Sequence, residues 1–179
     1  MNEKELNELR YPIGRFDAPK EITKEQIISY IKTIEESPEK YRKAVQDLNE
    51  EQLDTPYRPD GWTIRQVIHH VPDSHINSYV RFKLGLTENK PNIKTYDEAK
   101  WAELGDSKET PIEVSLTLLE SLHKRWALLL RSFNENDFHK TVNHPEWGEI
   151  RLDKMLALYD WHCKHHLAHI TNLRKRMGW

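Results

Sequence analysis

The chain has 179 residues, enough for one domain with a substantial core, and its 27 lysines and arginines stand against 29 aspartates and glutamates for a net charge of -2. That balance argues against an electrostatic nucleic-acid surface and a polybasic membrane anchor, and the longest apolar run, Trp126 to Leu130, is far too short to span a bilayer. A lone cysteine, Cys163, excludes a disulfide framework and a cysteine-based zinc site, and the Met1-Asn2-Glu3-Lys4 start lacks a signal-peptide core, so a cytoplasmic protein is expected.

Taken in chain order, the elements are mostly helices, and they are expected to form one domain over residues 1–179. Residues 1 to about 22 carry Pro12, Gly14 and Pro19, which suit an extended arm. Thr23-Lys24-Glu25-Gln26 has the pattern of a capping box, and Ile27, Ile28, Ile31 and Ile34 follow at helical spacing. Ser37-Pro38 then restarts the helix or kinks it, and Tyr41, Ala44, Val45 and Leu48 continue an apolar stripe. After the loop from Asp54 to Gly61, a second capping box, Thr63-Ile64-Arg65-Gln66, opens a helix that runs to about Leu86.

Glu88 to Thr110 is polar and reads as a long connection, with a short helix around Asp97 to Leu104 that would bury Trp101. Pro111 starts an amphipathic helix in which Val114, Leu118, Leu119, Leu122, Trp126, Leu129 and Leu130 repeat to about Phe133. Asn134 to Gly148 is loop-rich and has room for a short hairpin. Asp153 can then cap a last helix that Gly178 terminates. Four long helices in a chain of this size predict an all-α four-helix bundle, with the long connection between its second and third helices.

The last helix concentrates the chemistry, with four of the ten histidines at His162, His165, His166 and His169. At about 100° per residue, His166 falls about 40° from His162, His169 about -20° and His165 about -60°, with Met155, Leu158 and Leu173 in the same arc. Asp160, Lys164, Thr171 and Lys175 fall nearer the opposite side, so the histidine face is expected to turn inward. Each buried imidazole then needs a hydrogen-bond partner or an ion, at a cost of about 1 to 3 kcal/mol if unsatisfied. Histidines four apart can share an ion while a third arrives from another helix, which leaves a coordination position open for water or substrate. Both His162/His166 and His165/His169 satisfy that spacing. Arg174-Lys175-Arg176 meets the negative end of the helix dipole and has a structural role. Cys163 points away from the histidine centre and is expected to be a small core residue.

Earlier in the chain, Gln66, His70, Asp73, Ser74, Asn77 and Arg81 align within an arc of about 100°, a polar row that suits either a cleft wall or a solvated face. Trp62 at the cap staples the helix start or lines the pocket. Pro72 lies inside this helix, where a proline can kink it and shift the register just beyond His70.

The run Gly61-Trp62-Thr63-Ile64-Arg65-Gln66-Val67-Ile68-His69-His70, followed far downstream by His162-x-x-x-His166, resembles the DinB superfamily of metal-binding four-helix bundles. Tyr11-Pro12-Ile13-Gly14 and Arg176-Met177-Gly178-Trp179 narrow the resemblance to its YfiT branch, over nearly the whole chain. The resemblance implies one divalent ion per subunit, zinc or nickel, held by His70, His162 and His166, with His69 pointing elsewhere. It also implies a homodimer, and either metal-dependent hydrolysis or bacillithiol-type S-transfer. His169 stands where the superfamily often has glutamine, and Pro72 departs from its pattern.

Zincin peptidases place a glutamate base directly after the first histidine of their helical pair, whereas Cys163 occupies that position here. A thiol needs no such base, because coordination to a metal deprotonates it. The expectation is therefore an S-transferase that joins a low-molecular-weight thiol to a small electrophile. The alternatives are a hydrolase of a small amide or ester using activated water, and a non-enzymatic metal- or ligand-binding bundle. Asp73, His165 and His169 are the candidates for a base or for support of the ligands. Trp62, Ser74, Asn77 and Arg81 are candidates for substrate binding.

Overall fold

The two threonine caps read from the sequence each start a long helix in the computed structural model, which describes residues 2–179. Thr23 Oγ1 accepts from the Gln26 N–H at 3.3 Å and Gln26 Oε1 accepts from the Thr23 N–H at 2.8 Å, opening Lys24–Val45. Thr63 and Gln66 repeat the pair at 3.1 and 2.9 Å and open Ile64–Thr87. The full order is α1 (Glu3–Arg10), α2 (Lys24–Val45), α3 (Glu50–Leu53), α4 (Ile64–Thr87), α5 (Glu98–Trp101), α6 (Gly105–Glu109), α7 (Ile112–Arg131), α8 (Glu135–His139), β1 (Thr141–His144), β2 (Gly148–Arg151) and α9 (Leu152–Met177).

The long helices α2, α4, α7 and α9 form the bundle. Helix α2 packs on α7 and α9, and α4 packs on the same two, so the consecutive helices α2 and α4 occupy opposite corners. At Gly85 a Cβ would lie 2.9 Å from a Leu152 methyl and 3.0 Å from one of Val142, so only glycine lets α4 approach the hairpin and the start of α9 this closely. The antiparallel hairpin pairs Val142 with Ile150 and seals that end. Gly178 takes φ 74° to end α9, and the Trp179 N–H closes on the Arg174 carbonyl at 3.0 Å. Among the described residues no helix is long and apolar enough to cross a membrane.

Buried apolar side chains form two clusters, one built around Ile34, Phe82, Trp126, Leu130 and Leu156, the other around Tyr41, Ile64, Val71, Leu119 and Ile170. Each long helix contributes to both, and between its two contributions each carries buried polar residues. These are Ser37 on α2, Ser74, His75 and Ser78 on α4, His123 on α7, and His165, His166 and His169 on α9. A polar layer thus crosses the bundle between two apolar halves.

Several expectations need correction. The amino-terminal arm is extended only beyond Gly14, after a turn closed by the Gly14 N–H on the Tyr11 carbonyl at 2.9 Å, because Asn2 and Glu5 form a capping box that makes Glu3–Arg10 helical, a signal outweighed in the sequence by Pro12 and Gly14. Trp101 is 39% exposed and packs on Tyr96 at 4.4 Å between ring centres, since α5 is a single turn on the surface. The inward face of α7 is rotated from the expected stripe: Val114 and Leu118 are exposed, whereas Leu116, His123 and Ala127 are buried. Asp160 is also buried, paired with Lys164 at 2.7 Å. Asp153 sits in the first turn of α9 rather than at its cap, which is Arg151. Pro38 and Pro72 interrupt neither α2 nor α4.

Candidate metal centre

His70 lies in the second turn of α4, and α9 presents His162 and His166 one turn apart opposite it. The Nε2 atoms of His70 and His162 stand 3.3 Å apart, and the three rings meet with centre separations of 5.4, 4.8 and 4.5 Å. One nitrogen from each ring falls within 4.8 Å of the others. Two imidazole nitrogens bound tetrahedrally at about 2.1 Å to one ion would be about 3.4 Å apart, so the observed gap suits a shared cation. Burial drives the His70 ring down to about 3, and burial together with the neighbouring imidazoles drives His162 and His166 well below the ordinary histidine range. All three are neutral at pH 7, the form in which imidazole binds metal.

A second trio, His165, His166 and His169, also brings its nitrogens within 4.8 Å, so both pairs read from the sequence converge. The neighbours of these rings differ from those of the first trio. His169 donates through Nε2 to the Arg10 carbonyl at 3.1 Å and stacks on Tyr57 at 3.9 Å, and its Nδ1 faces His166 Nδ1 at 3.3 Å. His165 stacks on Trp161 at 4.2 Å, its Nδ1 buried without a partner among the described residues. Burial pushes His165 down to about 4 and His169 down to about 3, the latter with help from His165. His69 points away, bonded to Ser115 Oγ at 2.7 Å and the Thr110 carbonyl at 3.0 Å.

The remaining candidates divide. Trp62 packs on His70 at 4.6 Å and on His166 at 6.2 Å, so it lines the cluster. Asp73 is half-buried one turn beyond His70, and burial with the Asp106 charge raises it to about 6. Ser74 Oγ is engaged with Tyr159 Oη at 3.4 Å, and Asn77 donates to the Asp73 carbonyl at 2.8 Å. Arg81 stands about 16 Å along the helix from His70 and binds the Lys94 carbonyl at 2.7 Å, so it does not reach the histidines. Cys163 is buried, and its thiol is pushed up to about 12 by that burial, which leaves it inert.

Two further buried histidines extend the cluster, and neither is among the sequence candidates. His75 sits with Nε2 3.0 Å from His162 Nδ1, and with Nδ1 2.7 Å from His123 Nε2. His123 was legible, since it follows Leu119 by four positions and precedes Trp126 by three on the inward face of α7. His75 was not, because it lies about 140° around α4 from His70, on a face that only tertiary packing buries.

The fold and the convergent imidazoles define a helical bundle with a neutral histidine cluster suited to a divalent ion. The chain belongs to the DinB superfamily, whose sequence pattern matches residues 33–170. It is 59% identical over 174 residues, 97% of this chain and all of the relative, to a Bacillus cereus (strain 03BB102) protein named as a candidate metal-dependent hydrolase. A Bacillus thuringiensis subsp. konkukian (strain 97-27) protein of the same description matches equally. The fold of this chain matches that of YfiT from Bacillus subtilis, described as a probable metal-dependent hydrolase with an unusual four-helix bundle topology. The TM-score is 0.94 at 50% identity, covering 96% of this chain and 99% of that one.

Proposed function

We propose that this chain is a metal-dependent enzyme of small molecules, with one divalent ion, zinc or nickel, held by His70, His162 and His166 in each subunit of a cytoplasmic homodimer whose subunits are each one domain. When bound, such an ion on three neutral imidazoles keeps its positive charge and lowers the pKa of a coordinated thiol or water. Thiol transfer is the preferred reaction, with a low-molecular-weight thiol of the bacillithiol type as donor. One observation carries it: among the described residues no carboxylate is hydrogen-bonded to any of the three rings, and a thiol needs no base for its activation. The thiol sulfur forms a bond to the electrophilic carbon as the leaving group departs with its electron pair, and the thiol proton passes to solvent. Trp62 covers His70 and His166 and keeps bulk water from that side of the cluster.

Hydrolysis of a small amide or ester is the second reading, supported by the names of the relatives and by Asp73. At about 6, the Asp73 carboxyl is tuned for proton transfer near neutral pH, one turn from His70 on the same face of α4. Zinc-loaded protein incubated with a thiol and a bimane electrophile is expected to exceed the protein-free rate, and no excess would refute transfer. Asp73→Asn should leave that rate within a few fold, whereas ester hydrolysis that falls at least tenfold in the same variant would favour the second reading.

A further inference from the structure

We propose that two hydrogen-bond chains, each ending on a backbone carbonyl, fix the ring tautomers of His162 and His166 so that Nε2 of each is left bare toward the metal centre. His75, His123 and His169 are then positioning residues. The proposal rests on the metal centre described above and assigns its ligands a proton arrangement.

The first chain begins at the Ile34 carbonyl. Pro38 has no N–H to give it, so this oxygen lacks its i+4 helical N–H partner. It accepts instead from Ser37 Oγ at 3.2 Å and from His123 Nδ1 at 2.6 Å. A carbonyl only accepts, so His123 carries its proton on Nδ1. Ser37 Oγ, 3.1 Å from the same Nδ1, receives from it as well. A neutral imidazole has one N–H, which makes His123 Nε2 an acceptor. His75 Nδ1, 2.7 Å away, must therefore donate to it. By the same rule His75 Nε2 accepts from His162 Nδ1 at 3.0 Å, and the bare Nε2 of His162 faces His70.

The second chain begins at the Arg10 carbonyl, on the last residue of α1, where helix carbonyls lack intrahelical partners. It accepts from His169 Nε2 at 3.1 Å, so His169 Nδ1 is an acceptor. His166 Nδ1 donates to it across 3.3 Å, and His166 Nε2 is left bare. Both ligands of α9 thus receive the same tautomer from unrelated parts of the chain, and both origins are carbonyls that local structure leaves without a helical N–H. Orienting a ligand histidine through its second nitrogen typically changes metal affinity 10- to 100-fold.

The test needs no substrate. In metal-free, 15N-labelled protein, two-bond proton–nitrogen correlations report each ring's tautomer: Nδ1–H is expected for His75, His123, His162 and His166, and Nε2–H for His169. Finding His162 or His166 protonated on Nε2 overturns the proposal. Zinc affinity, measured by competition with a chromophoric chelator, is expected to fall 10- to 100-fold in His75→Leu. His75→Gln should hold it within a few fold, because its carbonyl accepts from His162 and its amide donates to His123. Equal affinity in wild type and His75→Leu, or equal losses in His75→Leu and His75→Gln, overturns the proposal, and His169→Leu repeats the comparison on the second chain should His75→Leu fail to fold. Wild-type protein that binds no zinc refutes the metal centre itself, while the nitrogen correlations still judge the tautomers.

Discussion

Metal-free protein is expected to lose stability sharply between pH 6.5 and 5. His70 and His123 are more than nine-tenths buried, and burial lowers them to about 3 and about 4. In the unfolded chain both titrate near 6.5. Between those values the unfolded state binds protons that the folded state refuses, so stability falls as pH falls. From pH 7 to pH 5 each ring contributes a loss of about 2 kcal/mol, and the two together about 4 kcal/mol, against the 5 to 15 kcal/mol typical of a folded domain. The other buried histidines add in the same direction. Asp73 works the other way, because its raised value lets the folded state gain a proton first. Urea unfolding followed by circular dichroism at pH 7 and pH 5, in the presence of a chelator, measures the difference. His123→Gln, which cannot titrate yet keeps a donor and an acceptor, should remove about half of the two-ring loss. An unchanged midpoint at pH 5 with an unchanged denaturant slope would refute the reasoning.

His166→Ala should abolish zinc binding and turnover together, while His69→Ala should keep zinc but lose about 1 to 3 kcal/mol of stability by stranding the buried Ser115 hydroxyl, as calorimetry and metal analysis will show. Cys163 should resist alkylation by iodoacetamide at pH 8 until the chain is unfolded in denaturant, and rapid labelling of the native protein would contradict its burial and raised pKa. Leu156→Ala, at a fully buried position on α9, should cost about 2 to 5 kcal/mol in urea unfolding without altering zinc affinity.

The four long helices were legible because each has its own local marks: capping boxes at Thr23 and Thr63, the glycine stop at Gly178, and apolar repeats along their lengths. Of the short helices only Glu98–Trp101 was, inside the stretch expected from Asp97 to Leu104. Single turns such as Glu50–Leu53 and Glu135–His139 carry capping boxes but too few residues to show a periodic face. The inward histidine face of α9 was read correctly from angles alone, whereas Asp160 escaped because its ion pair with Lys164 lets a charged group sit inside. His75 required knowing that α4 is covered on nearly all sides between Ile64 and His75, which is a property of the bundle rather than of the helix.

The polar layer between the two apolar clusters also acts as an alignment key. Sliding α9 by one turn, about 5.4 Å, would leave leucines and isoleucines still facing apolar neighbours, so greasy contacts alone distinguish such a slip poorly. The same slip would pull His162 from His75 and His169 from Arg10, stranding several buried nitrogens at about 1 to 3 kcal/mol each. The histidines proposed to hold the ion, with the partners that orient them, therefore also select, among similar helix stackings, the one in which they converge.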